Sequence, residues 1–128
     1  MTAYRLLTLV IVVAHFGFLA YLVAGGFLAW RWPRSIVLHV AAAVWGTTVL
    51  FVPLVCPLTW AEEWSRQRAG EPAPQGGFID RYVEGVLYPE RFTLAVQVLV
   101  ALVVLGSWAG LALRRRRAGQ PSAATARP

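Results

Sequence analysis

Two histidines, His15 and His39, lie inside long apolar stretches of the chain. Ionisable side chains are costly in lipid and often functional, and two histidines on neighbouring helices could ligate a b-type haem iron. In an antiparallel hairpin, however, the depths of these two rings would differ by roughly 15 Å at about 1.5 Å per residue. One iron cannot bridge that offset. The sequence therefore favours no cofactor and two neutral histidines, each hydrogen-bonded within the helix bundle.

Gln97 is a further polar residue within an apolar stretch, at a depth similar to that of His15. A His15–Gln97 hydrogen bond would satisfy both side chains, and the alternative is an amide that bonds to a backbone carbonyl. His39 lies about two helical turns from a short arginine-rich link, so we expect it to reach interfacial water. The sequence thus predicts that His15 matters more for stability than His39.

A third group of polar residues follows the second apolar stretch, between Cys56 and Arg66. Thr59 and Glu62 have the spacing of a capping box, and Glu62 and Arg66 share one helix face. An ion pair there could be a structural cap or a headgroup or proton site, and we favour the structural role. With Tyr88, the same residues could serve a lipid-acting enzyme. No histidine is near Cys56 in sequence, so we expect it to pack rather than to react.

Several motif pieces occur in a fixed order along the chain. They are His15, Trp32 with His39, Cys56-Pro57-Leu58-Thr59, Glu62, Arg66, Gly70, Gly76-Gly77-Phe78-Ile79, Tyr82 and Tyr88-Pro89. This order resembles a family of small bacterial integral membrane proteins known only as a domain of unknown function. In that family C-P-L-T-x-x-E follows the second span and Y-P precedes the last. The resemblance implies a topology and leaves the chemistry open.

Three apolar stretches must position these residues, over about 6–30, 36–55 and 92–113, and none contains Asp, Glu, Lys or Arg. About 20 apolar residues in a helix cross a bilayer core of about 30 Å. We therefore predict an all-α fold, an integral membrane helical bundle with three transmembrane helices in a domain over 1–117. The first stretch is longer than a signal-peptide core, so we expect a retained anchor.

The connection between the second and third stretches contains all six acidic residues. We predict a helix over Thr59–Gly70, a loop over Glu71–Gly77 and a short amphipathic helix that starts at Phe78 and stops at Tyr88-Pro89. Residues 118–128 have the composition of a disordered tail.

Small residues at four-residue spacing predict close helix packing, within the bundle or in a homo-oligomer. They are Ala42 with Gly46 and Gly106 with Gly110, and Gly25-Gly26 is expected to bend the first stretch.

The 128-residue chain has a net charge of +6, yet its arginines lie at the ends of the stretches and in the loops. This placement indicates a lipid bilayer and no nucleic acid as partner. Arg31, Arg34 and the run Arg114, Arg115, Arg116 and Arg117 predict the cytoplasmic side, with the run in contact with lipid headgroups. The N-terminus would then be outside a bacterial inner membrane. A single cysteine excludes an internal disulfide or a multi-cysteine metal site.

These features leave three hypotheses for function. The leading one is a non-enzymatic accessory subunit or scaffold, with a membrane protein or a second copy as partner. The second is a redox or cofactor-binding subunit that uses His15 and His39. The third is a lipid-acting enzyme that uses Glu62, Arg66 and Tyr88.

Overall fold

The computed structural model describes residues 2–52, 54–72, 75–84 and 86–119. This part of the chain is helical and contains no strand, as predicted for the all-α class. The helices are α1 (Thr2–Arg31), α2 (Ser35–Phe51), α3 (Pro57–Arg68), α4 (Phe78–Tyr82) and α5 (Thr93–Ala118), with a 3₁₀ turn at Glu90–Phe92 before α5. Residues 120–128, most of the predicted tail, lie outside the described residues.

The first helix is the centre of the molecule, since α2, α3 and α5 each pack against it. Two helical segments, Thr2–Arg31 and Glu90–Ala118, are long and apolar enough to cross a membrane, and α2 is apolar but shorter, with 17 residues. The long helices and the α1–α2 link match the predicted elements closely. Their termini differ by a few residues, as is usual for helix ends.

The ends of the helices follow from prolines and glycines in the sequence. Pro33 has no N–H to continue α1, and Ser35 then opens α2, its hydroxyl donating to the Trp32 carbonyl at 2.8 Å. At the end of α3, Gly70 has a φ of 76°, the left-handed conformation with which many helices stop.

Two predictions for the connection were wrong in detail. Helix α3 starts at Pro57, because proline is favoured at the first helical position, so Thr59 lies inside the helix and is not its N-cap. Helix α4 ends at Tyr82 and does not continue to Tyr88. The Glu84 carboxylate instead accepts a hydrogen bond from the Thr93 hydroxyl at 2.8 Å, which ties the connection to the start of α5.

Polar and apolar side chains are distributed in reverse of the usual soluble pattern. Large apolar side chains on α2 and α5 are exposed, for example Val37 and Leu94 at 73% each. Polar or small residues dominate the buried set, which is Thr8, His15, Gly25, Gly26, Ala29, His39, Thr59, Glu62, Ser65, Ala69, Phe78, Val104, Ser107 and Leu111. Exposed apolar side chains in this number are typical of a surface that contacts lipid or another protein.

Candidate functional site

One buried carboxylate joins α3 to α4. Glu62 is fully buried, and its Oε1 accepts hydrogen bonds from Arg66 Nε at 3.0 Å, Arg81 Nη1 at 3.0 Å and the Tyr82 hydroxyl at 2.8 Å. Two guanidinium groups and a hydroxyl on one oxygen offset much of the desolvation of a buried carboxylate. We call Glu62, Arg66, Glu71, Arg81 and Tyr82 the carboxylate cluster.

Every side-chain nitrogen of Arg66 is bound within this cluster. Besides Nε on Glu62, its Nη1 donates to Glu71 at 3.0 Å and its Nη2 to the Tyr82 hydroxyl at 2.6 Å. Burial alone would lower the pKa of Arg66, but the hydrogen bond and charge of Glu62, together with Tyr82, raise it above its ordinary value. Arg66 is therefore a permanent charge that organises its neighbours and is no proton donor.

The carboxylate cluster is fastened to the first turns of α1. Arg5 Nε lies 3.2 Å from Glu71 Oε1, and the buried Thr8 and Ser65 hydroxyl oxygens are 2.7 Å apart. Beside these contacts a groove of about 330 Å³ is lined by Arg5, Thr8, Leu9, Val12, Arg66, Glu71 and Tyr82.

His15 contacts α4 and makes no hydrogen bond to Gln97, which was one of the two alternatives that the sequence left open for that amide. Its ring stacks on Phe78 with centroids 3.7 Å apart and planes at 8°. Gln97 lies half-buried on α5. The depth comparison between spans could not foresee that α4 folds over α1 and covers this face.

Three buried polar atoms around α4 have no hydrogen-bond partner in the described part of the chain: His15 Nδ1, Glu62 Oε2 and Arg81 Nε. The second Glu62 oxygen is thus unused while the first accepts three bonds. All three donors to Glu62 bind the same oxygen atom. This fixes the position of α4 but leaves the other Glu62 oxygen without a hydrogen bond.

His39 is fully buried, so the prediction that it would be solvated was wrong. Its Nδ1 accepts a hydrogen bond from Trp108 Nε1 at 3.0 Å, and its Nε2 lies 3.0 Å from the Leu22 carbonyl. Because an indole N–H only donates, Nδ1 carries no proton and Nε2–H must donate to Leu22. This neutral tautomer connects α1, α2 and α5, and we call the three residues the His39 network.

Two glycines of α1 make room for the His39 network. A Cβ on Gly25 would lie 2.5 Å from His39 Cδ2, and a Cβ on Gly26 would overlap the Ser107 hydroxyl. The pair was predicted to bend the first stretch; α1 continues through both glycines without interruption, and the bend itself stays a prediction. The prediction of a solvated His39 used only the distance of this residue from the α1–α2 link. It missed that Gly25 and Gly26 admit the ring between helices.

The predicted small-residue motifs divide into packed and open positions. Gly46 faces Leu22, and Gly110 faces the ring of Trp30, whose Nε1 donates to the Ser107 carbonyl at 2.9 Å. No heavy atom lies within 4 Å of a Cβ placed on Gly106.

The structure does not bring His15 and His39 together. His15 stacks on α4, whereas His39 packs at the level of Gly25 and Gly26, about ten residues further along α1, or about 15 Å of helix. Among the residues described, no group of three or more His, Cys, Asp or Glu side chains could hold a metal ion.

The remaining predicted residues lie outside the carboxylate cluster. Cys56 is half-buried immediately before α3, and Thr59 is buried within it. Tyr88 pairs through its backbone with Glu84. The tyrosine that contacts Glu62 and Arg66 is Tyr82 and not Tyr88. Arg81 and Trp108 were missed because no spacing rule connects residues 19 or 69 positions apart. Tyr82 was part of the motif string, which was its only signal.

The other end of the bundle has a smaller groove of about 250 Å³, lined by Trp30, Gly110, Leu113, Arg114 and Arg117. Here the Arg114 guanidinium lies 4.9 Å from the centre of the Trp30 ring, and Arg115 Nη2 donates to the Pro33 carbonyl at 3.2 Å. The α1–α2 link and the arginine run are thus adjacent.

Comparison with known proteins gives one family match. The model of a family described as Protein of Unknown function (DUF2784) matches residues 5–113. No curated protein and no solved structure matches the chain significantly. The matched range contains the carboxylate cluster, the His39 network and the whole connection between them.

Proposed function

The chain belongs to the DUF2784 family of proteins of unknown function, and from this premise we propose a three-span protein of the bacterial cytoplasmic membrane that acts as a non-enzymatic scaffold or accessory subunit. The observation that carries the proposal is the reversed distribution of side chains, with His39, Glu62, Ser65 and Ser107 fully buried and large apolar residues outside. In lipid, polar groups must be satisfied between helices.

The shorter helix α2 is the third span in this proposal. Its 17 residues extend about 25 Å, at the lower end of what a bilayer core requires. Apolar Val52, Leu54 and Val55 continue the hydrophobic run beyond its end. The end of α5 lies beside the α1–α2 link, at the opposite end of the bundle from the start of α1. A chain that begins at one end and finishes at the other supports an odd number of spans.

A structural role is favoured because the charges of the carboxylate cluster are committed to one another. All three Arg66 side-chain nitrogens and Glu62 Oε1 are bound within the protein. These bonds join α3 to α4 and would hold both helices over the end of the bundle as a cap. The exposed apolar faces of α2 and α5 then remain for lipid, for a membrane-protein partner or for a second copy.

A lipid-acting enzyme is the second candidate, and the groove of about 330 Å³ favours it. Apolar Leu9 and Val12 line one part of this groove, while Arg5 and Glu71 line another. A phospholipid has the same division between acyl chain and headgroup. Release of headgroups from vesicles by the purified protein, abolished in Arg5→Gln, would support this candidate over the scaffold.

The scaffold is tested by extraction and purification from native membranes. We expect the protein to stay in the membrane after alkaline carbonate treatment and to copurify with a defined membrane protein or with itself after crosslinking. Release into the soluble fraction would contradict the membrane proposal. A Soret band in the absorbance spectrum, lost in His15→Leu or His39→Leu, would instead support the redox alternative.

A further inference from the structure

The groove at the α1–α2 link differs from the one beside the carboxylate cluster in its charge. Arg5 and Arg66 in the larger groove are both paired with Glu71. Arg114 and Arg117 in the smaller groove form no ion pair with any described residue, and all six acidic side chains lie between positions 62 and 90. From this contrast we propose that the smaller groove is a specific site for the phosphate of an anionic phospholipid.

The lining residues of α5 form one face of the helix. Gly110, Leu113, Arg114 and Arg117 have relative positions 0, 3, 4 and 7 in sequence, the spacing that places side chains above one another. Along this face, Gly110 exposes the backbone, Leu113 adds an apolar side chain, and Arg114 and Arg117 add two guanidinium groups. A phospholipid would align with it, acyl chain beside Leu113 and phosphate at the two arginines.

Trp30 forms the opposite wall and is held in place. Its Nε1 donates to the Ser107 carbonyl at 2.9 Å, and the Arg114 guanidinium lies over its ring at 4.9 Å. A Cβ on Gly110 would lie 2.6 Å from the ring carbon Cζ2, so a residue without a side chain is needed for the indole to approach α5 this closely. Tryptophan at this depth is typical of a membrane interface.

The ligand chemistry follows from these groups. Two guanidinium groups that form no ion pair among the described residues favour a phosphate, because arginine can bind phosphate through two parallel hydrogen bonds. The apolar wall of Trp30 and Leu113 distinguishes a phospholipid from free phosphate. The inference rests on the membrane insertion proposed above, and it adds a defined site to the general headgroup contact expected of Arg114–Arg117.

The test compares two variants with the same loss of charge. Arg114→Gln with Arg117→Gln removes the arginines of the groove, whereas Arg115→Gln with Arg116→Gln removes their neighbours in the same run. Each protein is placed in nanodiscs of phosphatidylcholine with a minor fraction of phosphatidylglycerol, and bound lipid is counted by native mass spectrometry. We expect retention of phosphatidylglycerol to fall about tenfold in the first variant, as loss of a charge-assisted hydrogen bond implies, and to stay near wild type in the second.

A second pair of variants leaves all charges in place. Gly110→Leu fills the groove and should lose bound phosphatidylglycerol, while Gly106→Leu, at an open position, should retain it. Equal losses from both arginine pairs would show bulk electrostatic attraction and overturn the site. Displacement of phosphatidylglycerol by inorganic phosphate would overturn the lipid as ligand.

Carbonate extraction of the same proteins separates failure of the site from failure of the membrane proposal. If wild type is extracted into the soluble fraction, membrane insertion itself is wrong. If all variants stay in the membrane and the groove pair binds phosphatidylglycerol like wild type, only the site is wrong.

Discussion

At the scale of single residues, Glu62 is the only fully buried carboxylate among the described residues. Three donors from α3 and α4 converge on its Oε1, so its removal would leave the partly buried Arg81 without a carboxylate partner and Arg66 with Glu71 alone. Breaking a buried pair by removing one partner is more destabilising than the net contribution of the pair, because the remaining charge is uncompensated.

We therefore expect Glu62→Gln to destabilise the folded protein by about 3–5 kcal/mol, because Arg66 and Arg81 lose their shared carboxylate. Thermal melts in detergent would measure this as a lower Tm. Glu63→Gln is the matched control, since the neighbouring Glu63 forms no ion pair within the described residues. Equal Tm values for wild type and Glu62→Gln would mean that the cluster is a solvated contact.

The two histidines should rank in the opposite order to that predicted from sequence. His39→Leu leaves the N–H of the half-buried Trp108 without its acceptor, which costs about 1–3 kcal/mol. His15→Leu loses the stack on Phe78, worth about 0.5–1.5 kcal/mol, but also removes an unpartnered Nδ1. Melts of both variants should show the larger loss for His39→Leu.

Trp108→Phe provides a check on the mechanism of the His39 loss. If the hydrogen bond between the two rings is responsible, the double variant His39→Leu, Trp108→Phe should lose less than the sum of the single changes. Strict additivity, or a larger effect of His15→Leu, would contradict the assignment of His39 as the structural histidine.

At the scale of elements, apolar length was sufficient to predict the long helices, whereas their mutual packing was not predictable. Three charge-free stretches and Pro33 predicted α1, α2, α5 and the hairpin link. The spacing of Glu62 and Arg66 likewise predicted their ion pair. The short α4 was overextended because periodicity continues past Tyr82, while Glu84 makes a tertiary bond to Thr93 instead.

The contacts between helices depend on two positions of α1 that carry no side chain. No periodicity rule predicts which residues will pack against such positions. Gly25 and Gly26 suggested a bend from the sequence, and their role as the surface onto which His39 and Ser107 pack was not foreseen. Once that surface exists, Trp108 on α5 can reach His39 on α2. A sequence pattern identifies which residues are small, but only the tertiary structure shows what approaches them.

Gly26→Ala should accordingly destabilise the α1–α5 contact by about 1–3 kcal/mol, the usual cost of overpacking, because the new Cβ would overlap the Ser107 hydroxyl. Gly106→Ala, in open space on α5, should be neutral or stabilising by up to about 1 kcal/mol through helix propensity. Detergent melts and limited proteolysis would measure both. A stable Gly26→Ala protein with unchanged protease sensitivity would show that α5 packs elsewhere.

At the scale of the whole molecule, charge is divided between the two ends of the bundle. The end that contains α3 and α4 carries six acidic residues and Arg5, Arg66, Arg68, Arg81 and Arg91, so it is nearly neutral. The opposite end has Arg31, Arg34 and the four-arginine run without any acidic residue. The contact between Arg115 and the Pro33 carbonyl places these groups side by side.

This asymmetry yields a prediction for topology, with the N-terminus outside and the C-terminus in the cytoplasm. Arginines close to the ends of spans are retained on the cytoplasmic side, while acidic residues contribute little to orientation. A fluorescent reporter that folds only in the cytoplasm should be active after Pro128, and a periplasmic phosphatase reporter at the same position should be inactive. The reverse pattern would contradict the proposed orientation.

The predicted orientation can be tested further by removing the arginines on which it depends. Replacing Arg114, Arg115, Arg116 and Arg117 together by Gln leaves Arg31 and Arg34 against five arginines at the other end. We expect a mixed population, in which both reporters show activity, because the remaining bias no longer favours one side. Changing Arg66, Arg68, Arg81 and Arg91 to Gln removes the same charge from the opposite end and should leave the wild-type orientation intact. If both sets of changes affect the reporters equally, total charge rather than its placement would determine how this chain is inserted.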